Sequence, residues 1–120
     1  NSSVNSSGPK YNLFHPQAFL NGDKYIPEVF QRQGAHRYVD CRSAKILSRN
    51  NGQTIVQYDM IVTSSTGQQS REQGILGLLT GKGYVVQYQA DDGSWHPMDR
   101  TTASLAGYNA GLVLIDYLQL

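Results

Sequence analysis

The histidines and the single cysteine are the side chains of this chain best suited to metal binding. His15, His36 and His96 lie far apart in the sequence. No second histidine or cysteine follows any of them at the i+2 or i+4 spacing typical of metal ligands. The sequence therefore predicts no metal site and no cofactor.

Cys41 is the one candidate thiol nucleophile. To act as one, it would need a base within about 3 Å. In an extended strand the neighbouring Asp40 points to the opposite face, and His36 also falls in the opposite phase. The pattern favours a buried structural cysteine, and a lone cysteine excludes a disulfide bond within the chain.

Two carboxylates lie in apolar surroundings and are the remaining candidates for acid–base chemistry. Asp59 lies within an apolar strand pattern, and Asp116 lies within the apolar C-terminal run. Burial would raise the pKa of such a carboxyl group and allow it to act as a base. The alternative is that both face solvent or pair with Arg37, Arg42 or Arg71. The first interpretation gives an alternative function, a small-ligand-binding or weakly catalytic pocket.

Aromatic residues are frequent, with eight tyrosines and one tryptophan. Tyr84, Tyr88 and Trp95 lie close together in the sequence among glutamines. Exposed aromatic side chains beside amides are typical of surfaces that bind proteins or carbohydrates, although aromatic residues also pack across strands. With Ile55 and Ile61, which lie on the less apolar side of a predicted strand, these three residues form the predicted binding set.

An antiparallel hairpin at the centre of the chain must position these residues. Asn50-Asn51-Gly52 is typical of a tight turn, and the strand pattern of residues 54–62 follows it. Residues 56, 58, 60 and 62 form an apolar row. The apolar phase changes between Cys41 and Ala44, which predicts a β-bulge near Arg42-Ser43.

The two ends of the chain are less clearly patterned. Pro27 suits the first position of a helix, and we expect a short helix over residues 27–33, ended by Gly34. Further strands are expected near residues 73–79, 84–89 and 95–98. For residues 112–120 the β-branched content favours a buried strand, with a buried helix as the alternative.

These elements predict a mainly β to α+β single domain with a curved antiparallel sheet of five or six strands. Residues 1–10 are a flexible polar tether, residues 11–34 an irregular or short helical segment, and residues 35–120 the antiparallel β domain. The sheet is either a barrel or sandwich, or a cone capped by the short N-terminal helical region. The latter is similar in layout to the nuclear-transport-factor-like superfamily.

Composition narrows the function classes. A net charge of +1 over 120 residues predicts no binding to nucleic acid or to acidic membranes. Charged residues make up 16%, and amide and hydroxyl residues dominate the polar set, which favours an extracytoplasmic location: periplasmic, secreted or on a virion surface. No apolar run is long enough to span a membrane. Since the chain opens with Asn1 rather than Met, we expect attachment to a membrane, if there is any, only through an N-terminal anchor that has been removed.

Without a catalytic constellation, the sequence predicts a non-enzymatic binding or assembly module. It would act through protein–protein contacts, with a protein partner or as a homo-oligomer. Cell-envelope secretion, conjugation, pilus-type and virion-surface components all fit this prediction.

Overall fold

The predicted central hairpin belongs to a larger antiparallel sheet, as the computed structural model of the chain shows. The structure describes residues 18–50, 52–80, 85–99, 101 and 104–120. The predicted tether, residues 1–10, lies outside them. The strands are β1 (Glu28–Arg32), β2 (Ala35–Asn50), β3 (Gln53–Thr63), β4 (Gln69–Leu79), β5 (Val85–Gln89) and β6 (Trp95–Pro97).

The six strands pair in chain order, each antiparallel to the next, and the sheet curls strongly into a half-barrel. An α-helix, α1 (Leu105–Leu118), follows β6 and packs against the apolar side of the sheet, and a short 3-10 helix (Leu20–Gly22) precedes β1. We call the side facing α1 the inner face and the opposite side the outer face. The prediction of a curved antiparallel sheet in one domain is confirmed.

The predicted bulge in β2 is confirmed as well. The pairing of β2 with β3 shifts between Asp40 and Lys45. The Ser43 hydroxyl group lies in this irregular stretch, donating a hydrogen bond to the Asp40 carbonyl (2.6 Å) and accepting one from the Asp59 amide (2.8 Å). A side chain thus satisfies backbone groups at the point where the regular ladder is interrupted.

The helix expected over residues 27–33 is wrong, because this segment forms β1. Gln33 and Gly34 both have positive φ, of 52° and 82°, and connect Arg32 to its partner Ala35 in a two-residue hairpin turn. Gly34 therefore closes a hairpin rather than ending a helix. Pairing with β2 outweighs the local preference of Pro27 for a helix start.

The strand favoured for residues 112–120 is also wrong, since residues 112–118 form the second half of α1. All residues from Ala110 to Ile115 are buried, so the helix is enclosed on every side at its centre. A helix in such an environment is apolar around its whole circumference and has no amphipathic period to reveal it. Within the described part of the chain, the C-terminal helix α1 covers the inner face of the sheet.

The core lies between the inner face and α1. Its strand residues lie on alternating positions of β2 to β5, as the apolar row of β3 predicts. The fully buried side chains at its centre are Val39, Cys41, Val56, Leu78, Val86, Ala110, Val113 and Leu114.

Candidate functional site

The Trp95 ring lies on the outer face, close to a glycine of β4. A Cβ atom added at Gly77 would come within 2.9 Å of the Trp95 ring and 2.6 Å of Nε2 of Gln53. Gln53 donates a hydrogen bond to Oε1 of Gln87 (2.9 Å) beside it, and Ile55 is the cross-strand partner of Gly77. Gln53, Ile55, Gly77, Gln87 and Trp95 thus form one cluster, which we call the Trp95 platform.

Two exposed apolar side chains extend this platform along the outer face. Ile75 and Val85 are 41% and 38% exposed. Ile75 lies two residues before Gly77 on β4, and Val85 pairs with Leu79, two residues after it. Residues two apart on a strand share a face. The outer face of β4–β6 is therefore an apolar and amide surface on a rigid sheet.

On the outer face near β1, side chains are buried and not exposed to solvent. Ile61 is 3% exposed and pairs with Tyr38, which is also buried. The structure thus separates the two isoleucines of the predicted binding set. Ile55 belongs to the Trp95 platform, whereas the Ile61 side chain is not accessible to a partner.

The predicted aromatic cluster is divided between the two faces. Tyr88 pairs with Leu76 and with His96, and its ring centroid lies 5.6 Å from that of His96. Because Leu76 belongs to the buried inner row, Tyr88 lies on the inner face, at its exposed margin. Trp95, one position along the β5–β6 ladder, points outward. Tyr84 lies outside the described residues.

Asp59 is held in a network of ion pairs on the outer face. It lies opposite Asp40 across β2 and β3, and Nη1 of Arg71 is 3.0 Å from a carboxylate oxygen of each. These hydrogen bonds and charges, with Asp40 first, raise the pKa of the Arg71 guanidinium. Of the two interpretations of Asp59, pairing with Arg71 is the one observed.

Asp116 lies on α1, toward its C-terminal end. Its oxygen Oδ2 is buried. The helix packs against β1, β2, β4 and β5 on the inner side of the curled sheet.

A Glu–His pair between β1 and β2 was not predicted. Glu28 is buried, and its Oε2 is hydrogen-bonded to Nδ1 of His36. The His36 ring stacks on Tyr38 with 6.2 Å between centroids. Burial, followed by the charge of Glu28, raises the pKa of Tyr38. The sequence feature that indicates this pair is the turn at Gln33–Gly34, because a hairpin there places Glu28 and His36 on neighbouring strands. The prediction of a helix over residues 27–33 does not bring the two residues together.

A cavity of about 370 Å³ lies at the end of the β2–β3 hairpin and is open to solvent. Arg49 contributes a positive charge to it, and amide and hydroxyl groups make up most of the rest. Its lining consists of Arg49, Asn50, Gly52, Gln53, Thr54, Thr80 and Leu120.

The described part of the chain shows neither a metal site nor a membrane-spanning helix. Within it, no group of three or more His, Cys, Asp or Glu residues is arranged to hold a metal ion. None of its helices is long and apolar enough to cross a membrane.

No family model, curated protein or solved structure matches this chain. Function is therefore inferred from the geometry of the described residues.

Proposed function

We propose that this chain is a non-enzymatic binding and assembly module that contacts a partner protein through the outer face of its sheet. The observation that carries the proposal is the close approach of the Trp95 ring to Gly77, with exposed Ile75 and Val85 on either side. Aromatic side chains at the centre of an interface contribute much of its binding energy. Since the platform is built on paired strands, little conformational entropy is lost when it binds.

The position of α1 supports this assignment. The sheet buries its inner face against the helix, and Tyr38 and Ile61 are buried on the outer face near β1, so the outer face of β4–β6 is the surface left for recognition. In antiparallel sheets with one solvated face, the outward residues are usually polar. Here Ile75 and Val85 interrupt that pattern beside Trp95, which is typical of an interaction surface.

An extracytoplasmic location is part of the proposal. It is supported by the low content of charged residues and by the abundance of amide and hydroxyl side chains. A component of a secretion, conjugation or pilus-type assembly, or of a virion surface, fits such a surface. Fractionation of the cells or virions that carry the chain tests the location, and recovery in the cytoplasm alone contradicts it.

A substitution on the outer face tests the contact. We expect Ile75→Arg to place a charge beside the Trp95 platform and to abolish capture of the partner from an extract of the source organism. Ser70→Arg is the matched control, because Ser70 is exposed on the same strand but on the other face, opposite Val62. Both variants should keep the thermal midpoint of the wild-type chain.

The proposal is supported by a protein that is captured by the wild-type chain and by Ser70→Arg but not by Ile75→Arg. Light scattering over a range of concentrations shows whether that protein is a second copy of this chain. If the captured proteins are the same for all three baits, the outer face is not the interface and the proposal fails.

A further inference from the structure

β2 is longer than β1, which pairs with only the first part of it. The β1–β2 ladder ends at Tyr38, and two more backbone bonds, from the amides of Val39 and Cys41 to the carbonyls of Pro27 and Tyr25, continue it. Beyond the bulge, residues 45–50 pair with β3 on one side, and no strand in the described part of the chain pairs with their other side. We call residues 45–50 the β2 edge.

Exposed apolar side chains lie on this edge. Ile46 is 37% and Leu47 46% exposed, and the ladder with β3 shifts between Ile46 and Ser48. An open strand edge presents unpaired N–H and C=O groups to an added strand, and apolar side chains beside them add contact area.

The charge of the β2 edge is positive. It carries Lys45 and Arg49, and no acidic residue occurs from position 41 to 58. In contrast to Arg37, Arg42 and Arg71, neither residue forms an ion pair within the described part of the chain.

The cavity at the hairpin end lies at the end of the β2 edge. Arg49 lines it together with Asn50, Thr54 and Thr80, which supply amide and hydroxyl donors. This combination suits a carboxylate, because charged donors and neutral donors can bind its oxygens together.

The same charges disfavour a second copy on this edge. A second copy paired along this edge would bring its own Lys45 and Arg49 close to those of the first, and like charges brought close together destabilise such a pairing. The charge favours an acidic strand instead. We propose that the β2 edge binds an extended, acidic segment of another protein as an added strand, with one carboxylate in the cavity beside Arg49.

Synthetic peptides test this proposal. Two labelled peptides of about eight residues, one alternating Val and Glu and one alternating Val and Lys, are long enough to cover the edge. We expect the Val/Glu peptide to bind the full chain in fluorescence anisotropy, more weakly as salt is added, and the Val/Lys peptide not to bind. The Val/Glu peptide with alternate backbone nitrogens methylated should lose binding, because it cannot complete a ladder.

Charge reversal in the chain is the second arm. K45E/R49E should weaken binding of the Val/Glu peptide at least about tenfold and create binding of the Val/Lys peptide. Arg32→Glu, an exposed reversal on β1, is the matched control and should leave both affinities unchanged. Circular dichroism confirms that the variants are folded.

Three results would overturn the proposal: both peptides bind equally, methylation has no effect, or the wild-type chain dimerises and K45E/R49E abolishes the dimer. In the last case the occupant is a second copy. The Ile75→Arg variant should keep peptide binding, since the β2 edge is a different surface from the outer-face site.

Discussion

At the scale of single residues, the Trp95 platform depends on Gly77. The absence of a Cβ atom lets the Trp95 ring and the Gln53 amide approach the β4 backbone together. The platform is therefore a property of one glycine as much as of one aromatic residue. The sequence around Gly77 does not predict that Trp95 lies beside it, because the two residues lie on strands separated by β5.

Gly77→Ala should displace the Trp95 ring without unfolding the chain. The added methyl group meets side-chain atoms that can move, and overpacking of this kind costs about 1 to 3 kcal/mol. We expect the tryptophan emission to shift to longer wavelength and the free energy of unfolding to fall within that range. Gln73→Ala, an exposed position on the same strand and face, should leave the emission unchanged. An unchanged spectrum for Gly77→Ala would mean that the ring does not lie over the glycine.

Tyr58 makes stability depend on pH in the alkaline range. Burial raises the pKa of this tyrosine from 10.0 to about 12. Between these values the unfolded chain releases a proton that the folded chain keeps, so the free energy of unfolding falls as pH rises from about 10 to 12. Urea titrations at several pH values should show this loss, of up to about 3 kcal/mol, and Tyr58→Phe should reduce it. Equal pH dependence in the two proteins would contradict the assignment.

At the scale of elements, contact between α1 and the sheet depends on Gly111. A Cβ atom there would lie 2.4 Å from Cγ2 of Val86, which is fully buried on β5. The helix therefore lies close against β5 at this point, and a side chain on either element decides how near the other can come.

Gly111→Ala should destabilise the chain by about 1 to 3 kcal/mol, since Val86 has no free space into which to move. Val86→Ala removes the clashing methyl groups and leaves a small cavity of its own. We expect the double variant to be more stable than the sum of the two single changes predicts, a coupling that urea unfolding of all four proteins measures. Additive effects would mean that the helix shifts away as a whole.

At the scale of the whole molecule, the half-barrel and α1 form one core. The buried residues of the inner face and of the helix belong to a single cluster. A helix of 14 residues is marginally stable alone in water, so α1 depends on the sheet, and the inner face of the sheet is covered by α1.

The chain should therefore unfold in one cooperative transition. Far-ultraviolet circular dichroism, which reports α1 and the sheet together, and Trp95 fluorescence, which reports the outer face, should give the same urea midpoint. A fluorescence change that precedes the loss of circular dichroism would show that β6 detaches separately.

Much of the sheet could be predicted from local sequence. The Asn-Gly turn, the apolar row of β3 and the phase change before Ala44 depend on neighbouring residues, and the hairpin and the bulge followed from them. Of the candidate site, the sequence predicts Ile55 and Trp95, but not the close approach of the Trp95 ring to Gly77, the cross-strand partner of Ile55. That contact depends on the register of β3 to β6, which no local pattern contains.

The sequence by itself determined a single β-rich domain with a curved antiparallel sheet, because strand alternation and turn chemistry are local properties. Only the tertiary structure decided that residues 28–32 are a strand and that the C-terminal run is a helix. In both places the local pattern suits either state, and pairing with β2 or enclosure by the sheet selects one. The same long-range contacts separate Tyr88 from Trp95, pair Glu28 with His36 and, among the described strands, leave the β2 edge unpaired on one side.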